Sequence, residues 1–339
     1  MTNPPLVDSQ AGDHSAPASR FLELVGAKLL ATEALCRRQL GSDVPFIHQA
    51  GAYIWQGGGK RLRPALLLLA SRLLGHDSEE EVTYAAVVEF IHNATLIHDD
   101  IIDHAHLRRG QPTLNHLWGN NLTVLLGDWI YTKAMQLALS HGQLEVVQRL
   151  CAATLKMTEG ELLALERLGA LDVTVPEYFE IIDRKTAHLF AAACSIPSLI
   201  PPCRPEAGQV LARYGRALGT CFQLVDDLLD FTARESELGK PVLSDLKEGK
   251  LTLPLIILLP RLQAAERLLV ETVLAERGFG RVAPQQILDL VRREGTLDEA
   301  REMARGYALS AQQELQFFPP GDAREALEFA PDFVLHRSS

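Results

Sequence analysis

No apolar run in this sequence approaches the ~20 residues that a bilayer-spanning helix needs. A soluble protein is expected, with at most peripheral membrane contact. Cysteine is sparse, and Cys36, Cys151, Cys194, Cys203 and Cys221 contain no C-x-x-C pair. Such an odd, unspaced set reads as reduced thiols in a cytoplasmic protein rather than a disulfide framework or zinc site. Basic charge is not in excess. The formal net charge of −10 argues against a nucleic-acid binder, whose signature is a basic face. Alternating apolar and polar stretches are few, which leaves little support for strands. A G-x-S-x-G elbow, a cysteine–histidine signature and a Walker P-loop are all missing, so no protein nucleophile is apparent.

What remains is apolar and helical in pattern. Hydrophobic residues make up 47% of the 339 positions and charged ones 22%, ordinary for a globular chain able to bury a large core. Residues 1–20 are rich in Pro, Ser, Asp and Ala and fit neither a secretory signal nor an Arg-rich transit peptide, so a disordered tail is expected there. From Phe21 apolar residues recur at three- and four-residue steps. Pro64 suits a first helical turn, and the leucines after it are too many for a surface helix. The run from Ser195 to Pro205 is the one obvious interior breaker. These features predict an all-α fold with a central bundle of unusually apolar helices.

Two acidic clusters interrupt that apolar pattern. Asp99-Asp100-Ile101-Ile102-Asp103 ends a long apolar segment. On a helix, Asp99 and Asp103 share one face, ~6 Å apart along the axis. Carboxylates so placed repel unless a cation lies between them, and hard oxygen ligands point to magnesium accompanying a phosphate-bearing substrate. The alternative is an acidic helix end facing water. Gln223, Asp226, Asp227 and Asp230 repeat the theme as a single polar stripe among Phe222, Leu224, Val225, Leu228 and Leu229. Two such helices suggest opposed walls of one deep cavity holding several magnesium ions. That favours a single domain over residues 21–339, with the proline-rich run as a loop inside it.

Basic groups cluster beside these motifs. Gly57-Gly58-Gly59-Lys60-Arg61-Leu62-Arg63-Pro64 sets cations before a helix start, a natural anion site or simply a helix start with solvated charges. Arg108-Arg109 follow Asp103 within reach of a metal-held phosphate. Lys185-Thr186, Lys240 and Lys250 complete the set.

Together these stretches, with His92, Gly127-Asp128 and Gly249-Lys250-Leu251-Thr252-Leu253-Pro254, resemble the trans-isoprenyl diphosphate synthases, the polyprenyl synthetase family, in the family's order. The resemblance implies a homodimer that condenses an allylic diphosphate with isopentenyl diphosphate. By that match Asp99, Asp103, Asp226 and Asp230 hold magnesium directly or through water, with Asp100 and Asp227 supporting or partial ligands. Lys60, Arg63, His92 and Arg109 match the isopentenyl diphosphate site. Arg108, Lys185, Thr186, Gln223, Lys240 and Lys250 match the allylic side, where Lys185, Thr186 and Gln223 are the catalytic candidates. The chain departs from the pattern at Leu243, where the family often has glycine.

The resemblance also makes the fourth and fifth residues before the first motif a gate on product length. Here they are Thr95 and Ala94, both small, and the gap inside the motif is two residues rather than the four of bacterial farnesyl-type enzymes. Both features favour a long product of the octaprenyl or solanesyl type for a quinone side chain, over a farnesyl or geranylgeranyl product. Met135 and Leu139 are candidate floor residues. A class I terpene cyclase would not need Lys60, Arg63 and His92. An HD-type phosphohydrolase built on His92, His98, Asp99, His104 and His106 leaves the second aspartate cluster unexplained. A non-catalytic partner subunit is a further alternative, although both motifs are complete.

Overall fold

Helix follows helix because apolar residues recur with the helical period almost throughout. The computed structural model describes residues 15–56, 61–108, 110–232 and 242–336, with side chains from residue 23 onward except at Gln56. In chain order the helices that matter here are α1 (Ser15–Gln39), α2 (Pro45–Gln56), α3 (Leu62–Leu73), α4 (Glu79–Ile102), α5 (Leu114–Trp118), α6 (Asn120–Ala138), α7 (Leu144–Glu166) and α8 (Val175–Ile182). A π-helical turn, Asp183–Ala187, leads into α9 (His188–Ser195). Then come α10 (Pro205–Thr232), α11 (Ser244–Glu248), α12 (Leu253–Leu258), α13 (Ala264–Glu276), α14 (Pro284–Arg293), α15 (Thr296–Glu314) and α16 (Asp322–Leu335). The only strands among the described residues, Leu107–Arg108 and Gln111–Pro112, pair antiparallel just after α4.

Helix α1 begins at Ser15, earlier than the Phe21 start read from periodicity. Pro17 falls in its first turn, where a missing N–H breaks no intrahelical bond. Residues 1–14 of the expected tail lie outside the described residues, as do Lys60, Arg109 and Lys240.

Helix α3 is buried on nearly every side, with Leu66, Leu67, Leu68 and Leu69 all 2% exposed or less. Twelve residues are marginal for an isolated helix. Each buried leucine contributes roughly 1.5–3 kcal/mol, so packing rather than propensity holds α3. Helix α4 lies along α6 and α3, and α10 lies along α9 and α15. The breaker run forms a short 3-10 turn, Ile196–Leu199, between two helices that pack on each other. It is therefore a loop inside one bundle, not a domain linker.

The burial of α4 changes along its length, and that change locates the cavity. Glu81 to Ile91 are all buried. Beyond them only every third residue, Ala94, Ile97 and Asp100, stays buried, while His92, Thr95 and Asp99 are half-buried. One side of α4 therefore leaves the core and becomes a wall.

Candidate active site

Beside that wall lies a cavity of about 450 Å³. Helix α4 presents His92, Thr95, Asp99 and Asp103 to it, and α10 faces them with Phe222, Gln223 and Asp226. Met157, Thr158 and Glu161 of α7, with Lys185 and Thr186 of the π-turn, form a third side. Arg63 of α3, Arg108, and Leu96, His98 and Ile102 of α4 complete the lining. The two aspartate helices thus do stand opposite each other, as the two polar stripes implied.

The aspartates divide into two groups. Asp99, Asp103 and Asp226 line the cavity. Burial pushes the Asp99 carboxyl up to about 6, with Lys185 pulling against it and Glu161 and Asp103 adding to the rise. The other three serve the scaffold. Asp100 accepts from Arg108 Nε at 2.8 Å. Asp227 accepts from the Tyr178 hydroxyl at 2.6 Å and from Gln223 Nε2 at 2.7 Å. Burial still pushes its carboxyl up, and those two bonds oppose the rise.

Asp230 does not reach the cavity lining. Its Oδ1 accepts from Ser244 N at 2.9 Å and Ser244 Oγ at 2.7 Å, and its Oδ2 from Asp245 N at 3.1 Å. The reason lies in the chain just ahead of α11. Leu243 adopts φ 58° and ψ 34°, the left-handed region, and its N–H donates to the Asp230 carbonyl at 2.8 Å. The position where the family often has glycine is thus a position where glycine would be unstrained. Leu243 occupies it with a fully buried side chain.

The basic residues are held by partners of opposite charge or by aromatic rings. Arg63 Nη1 and His92 Nε2 lie 3.2 Å apart, and the guanidinium stacks 4.4 Å from the Phe190 ring centroid and 5.8 Å from that of Phe222. Lys185 pairs with Glu161. Burial works against the Lys185 charge, but Asp99 and Glu161 outweigh it and raise its pKa. Lys250 donates to Asp103 at 2.8 Å and Glu248 at 3.1 Å, which raise its pKa against the effect of burial. The Thr186 hydroxyl donates to Gln223 Oε1 at 2.8 Å. A chain Thr186–Gln223–Asp227–Tyr178 therefore fixes the amide.

Sequence reasoning missed Glu161, Tyr178, Ser244 and Phe190. The partners of Glu161, Tyr178 and Ser244 lie 14 or more residues away along the chain, beyond the reach of any local pattern. Ala94 is 2% exposed and is not part of the lining, whereas Thr95 is. Leu139 is 56% exposed at the end of α6, so it does not close the cavity floor. Of the histidines of the phosphohydrolase alternative, His92 and His98 line the cavity with Asp99 but form no three-ligand metal group among the described residues. His98 turns toward the Val124 carbonyl and Asp128, His92 toward Arg63, and His106 pairs with His116 at 3.1 Å.

The donor chemistry suits magnesium bound together with a substrate. No three acidic, histidine or cysteine groups form a complete site among the described residues. Magnesium, however, commonly takes one or two carboxylates and completes its shell with water and phosphate oxygens. Asp99 and Asp103 on one wall and Asp226 on the other are such donors.

Comparisons with known proteins agree with this geometry. Residues 44–290 match the family described as Polyprenyl synthetase. The chain is 42% identical to the octaprenyl diphosphate synthase of Escherichia coli (strain K12) over 305 residues, covering 90% of this chain and 94% of that one. A polyprenyl synthase from Caulobacter crescentus, solved with calcium and isoprenyl diphosphate, superposes with a TM-score of 0.90 at 36% identity, covering 95% of this chain and 98% of that one. A decaprenyl diphosphate synthase from Rhodobacter capsulatus gives 0.89 at 37%, covering 95% and 99%. With two aspartate walls, a basic rim and this likeness along nearly its whole length, the chain belongs to the polyprenyl synthetase family and is a trans-prenyltransferase.

Proposed function

We propose that this protein joins an allylic diphosphate to successive isopentenyl diphosphates, head to tail, giving a long all-trans polyprenyl diphosphate for a quinone side chain. The observation that carries this reading is the facing of Asp99 and Asp103 on α4 by Asp226 on α10 across one cavity rimmed with Arg63, Arg108 and Lys185. Asp99, Asp103 and Asp226 would hold magnesium, and Asp230, one turn further along α10 with its oxygens accepting from Ser244 and Asp245, would reach it only through water. When bound there, magnesium stabilises negative charge on the departing diphosphate.

The chain's own residues do the rest. Lys185, Lys250 and Arg108 supply further positive charge to that diphosphate, together with Lys240. Arg63 and His92, with Lys60 and Arg109, bind the isopentenyl diphosphate. The two rings beneath the Arg63 guanidinium fix its position before substrate arrives, which lowers the ordering cost of binding. Thr186 and Gln223, joined by their hydrogen bond, would steady the allylic cation through their dipoles. The departing diphosphate can accept the proton lost after bond formation, so no side-chain base is assigned.

Long products are supported by the small Thr95 on the cavity wall and by the names of the octaprenyl and decaprenyl relatives. A homodimer is supported by Leu122 and Leu125 on α6 and Leu155 and Leu162 on α7, which are 44–65% exposed. Apolar side chains grouped on neighbouring helices mark a contact surface. No helix among the described residues is long and apolar enough to cross a membrane. All five thiols are free, which fits a reducing cytoplasm, with peripheral membrane contact at product release.

The test supplies labelled isopentenyl diphosphate with geranyl, farnesyl or geranylgeranyl diphosphate, with and without magnesium, and reads chain length by mass spectrometry. Elongation that needs magnesium and ends in a long all-trans product is the expected result. Failure to elongate any primer with magnesium present overturns the proposal.

A further inference from the structure

We propose that Asp183 and Arg216 are positioning residues that hold the π-turn, and through it Lys185 and Thr186, in register with Gln223; this inference rests on the prenyl-transfer reading above. The turn Asp183–Ala187 takes one more residue than an α-helical turn between α8 and α9. Such bulges recur at functional sites because they rotate the side chains that follow. The sequence Asp183-Arg184-Lys185-Thr186-Ala187 contains neither glycine nor proline, so nothing in it forbids an ordinary α-helix. What selects the wider turn must come from outside it.

The structure shows those outside constraints. Asp183 accepts from Arg216 Nε at 2.5 Å and from Arg216 Nη2 at 2.6 Å, and lies 3.5 Å from His188 Nε2. Arg184 donates to Glu159 at 2.7 Å and to Glu180 at 2.5 Å. Lys185 pairs with Glu161 and Thr186 with Gln223 inside the cavity. Arg216 and Gln223 are seven residues apart on α10, and so lie on one face of it. That face grips the turn at two points, Asp183 from outside the cavity and Thr186 from within.

Packing closes the grip. A Cβ on Gly160 of α7 would lie 2.5 Å from the Lys185 backbone nitrogen, and one on Gly219 of α10 would lie 2.7 Å from the Ala187 Cα. The turn is therefore pressed between two helix backbones with no side chain to spare. The Arg216 side chain is 57% exposed and that of Asp183 20%. A pair so open to solvent adds little to global stability, so its consequence should be local, in the aim of Lys185 and Thr186.

Arg213 provides the control. It sits on the same helix, in the same half-open cleft, and donates to Glu314 at 2.9 Å without touching the turn. The experiment measures kcat and both KM values for wild type, Asp183→Asn, Arg216→Gln, Arg216→Lys and Arg213→Gln. It also measures hydrogen exchange over residues 178–190. Asp183→Asn and Arg216→Gln should lower kcat roughly 10- to 100-fold, since a small misplacement of reacting groups costs about that much. The isopentenyl diphosphate KM should stay within about twofold of wild type, because its site lies on α3 and α4. Exchange over 178–190 should quicken in both variants, and Arg216→Lys should recover part of the loss. In a Thr186→Ala background the Arg216→Gln loss should shrink, because both changes act through one turn.

Wild-type kcat in Arg216→Gln with exchange unchanged over 178–190 would overturn the proposal. So would an equal loss in Arg213→Gln, or full additivity with Thr186→Ala. A wild-type protein that elongates no primer overturns this inference together with the functional reading; failure of the variants alone overturns only the inference.

Discussion

Replacing Leu243 tests whether burial or backbone strain governs the approach to α11. A left-handed conformation costs a residue with a Cβ roughly 1–2 kcal/mol, and Leu243 holds φ 58°. On that ground alone Leu243→Gly should stabilise the protein. The side chain, however, is 0% exposed, and emptying a buried leucine site costs about 2–5 kcal/mol. Glycine also frees more of the unfolded chain, adding roughly 0.5–1 kcal/mol. Burial wins, and Leu243→Gly should be destabilised by about 2–4 kcal/mol, the balance of these three contributions. Leu243→Ala loses nearly the same packing but keeps its Cβ. The alanine variant should therefore be the less stable of the two by about 1 kcal/mol, the reverse of the usual order. Urea-unfolding midpoints and thermal shifts of the three proteins supply the comparison. A glycine variant at least as stable as wild type would show that packing at Leu243 has been overvalued. An alanine variant more stable than the glycine variant would refute the strain itself. Both variants should also lose kcat, because the same turn presents Ser244 and Asp245 to the Asp230 carboxylate.

Four further outcomes follow. Thr95→Phe should shorten the product seen by mass spectrometry, since Thr95 lines the cavity; an unchanged product distribution would sink its role as a gate. Ala94→Phe, at a buried position outside the lining, should shorten the product less than Thr95→Phe and cost about 1–3 kcal/mol of stability by overfilling the core. Asp226→Asn should lower kcat by about 10²–10³-fold, the usual effect of removing one electrostatic stabiliser, with its magnesium requirement shifted to higher concentration and its melting temperature unchanged. Finally, burial works against the charge of Asp183, but hydrogen bonds from His188 and Arg216 bring its carboxyl from 3.8 down to about 2. Tyr307, Glu180, Arg213 and Glu314 line the same cleft. A depressed folded-state pKa contributes stability that is fully present above the unfolded value and is lost as pH falls through about 2. The stability gap between wild type and Asp183→Asn, kept small by the exposure of Arg216, should thus be widest above pH ~4 and narrow below it; a gap equal at pH 6 and pH 3 would contradict this.

What the sequence made legible was periodic. Residues three or four apart share a helix face, so Asp99 with Asp103, and Gln223 with Asp226, could be placed on walls before any wall was known. The facing of those walls followed from the same apolar surroundings. The division of labour among the aspartates was not legible. Asp226 and Asp227 are adjacent on one helix, yet one lines the cavity and the other is enclosed by Tyr178 and Gln223. That depends on α8, which no local pattern connects to α10. The π-turn was hidden for a related reason, since one extra residue in a turn leaves composition and periodicity almost unchanged. Ala94 and Thr95 looked equivalent as small neighbours, but ~100° of helical rotation sends them to core and cavity respectively.

The strained residues of the fold are gathered around this site. Non-glycine residues with positive φ among those described are Arg61, His104, Leu243 and Arg277. Arg61 leads into α3 two residues before Arg63, His104 directly follows Asp103, and Leu243 precedes the Ser244 that holds Asp230. Arg277 donates to the Glu248 carbonyl, two residues from Lys250. Strain of this kind persists only where surrounding contacts over-determine it, and the contacts are visible. Arg61 donates to Glu89 at 2.5 Å and to Glu33 at 3.2 Å and lies over the Trp55 ring at 5.0 Å, while Leu243 is enclosed by the core. The bundle thus forces abrupt turns on the segment that presents Arg63 and on the one that holds Asp230, and the same burial keeps both side chains fixed. Replacing these residues with glycine would relieve the backbone but remove the anchor. Such a site is held ready by packing remote from the reacting atoms, and single changes away from the aspartates should therefore reach catalysis.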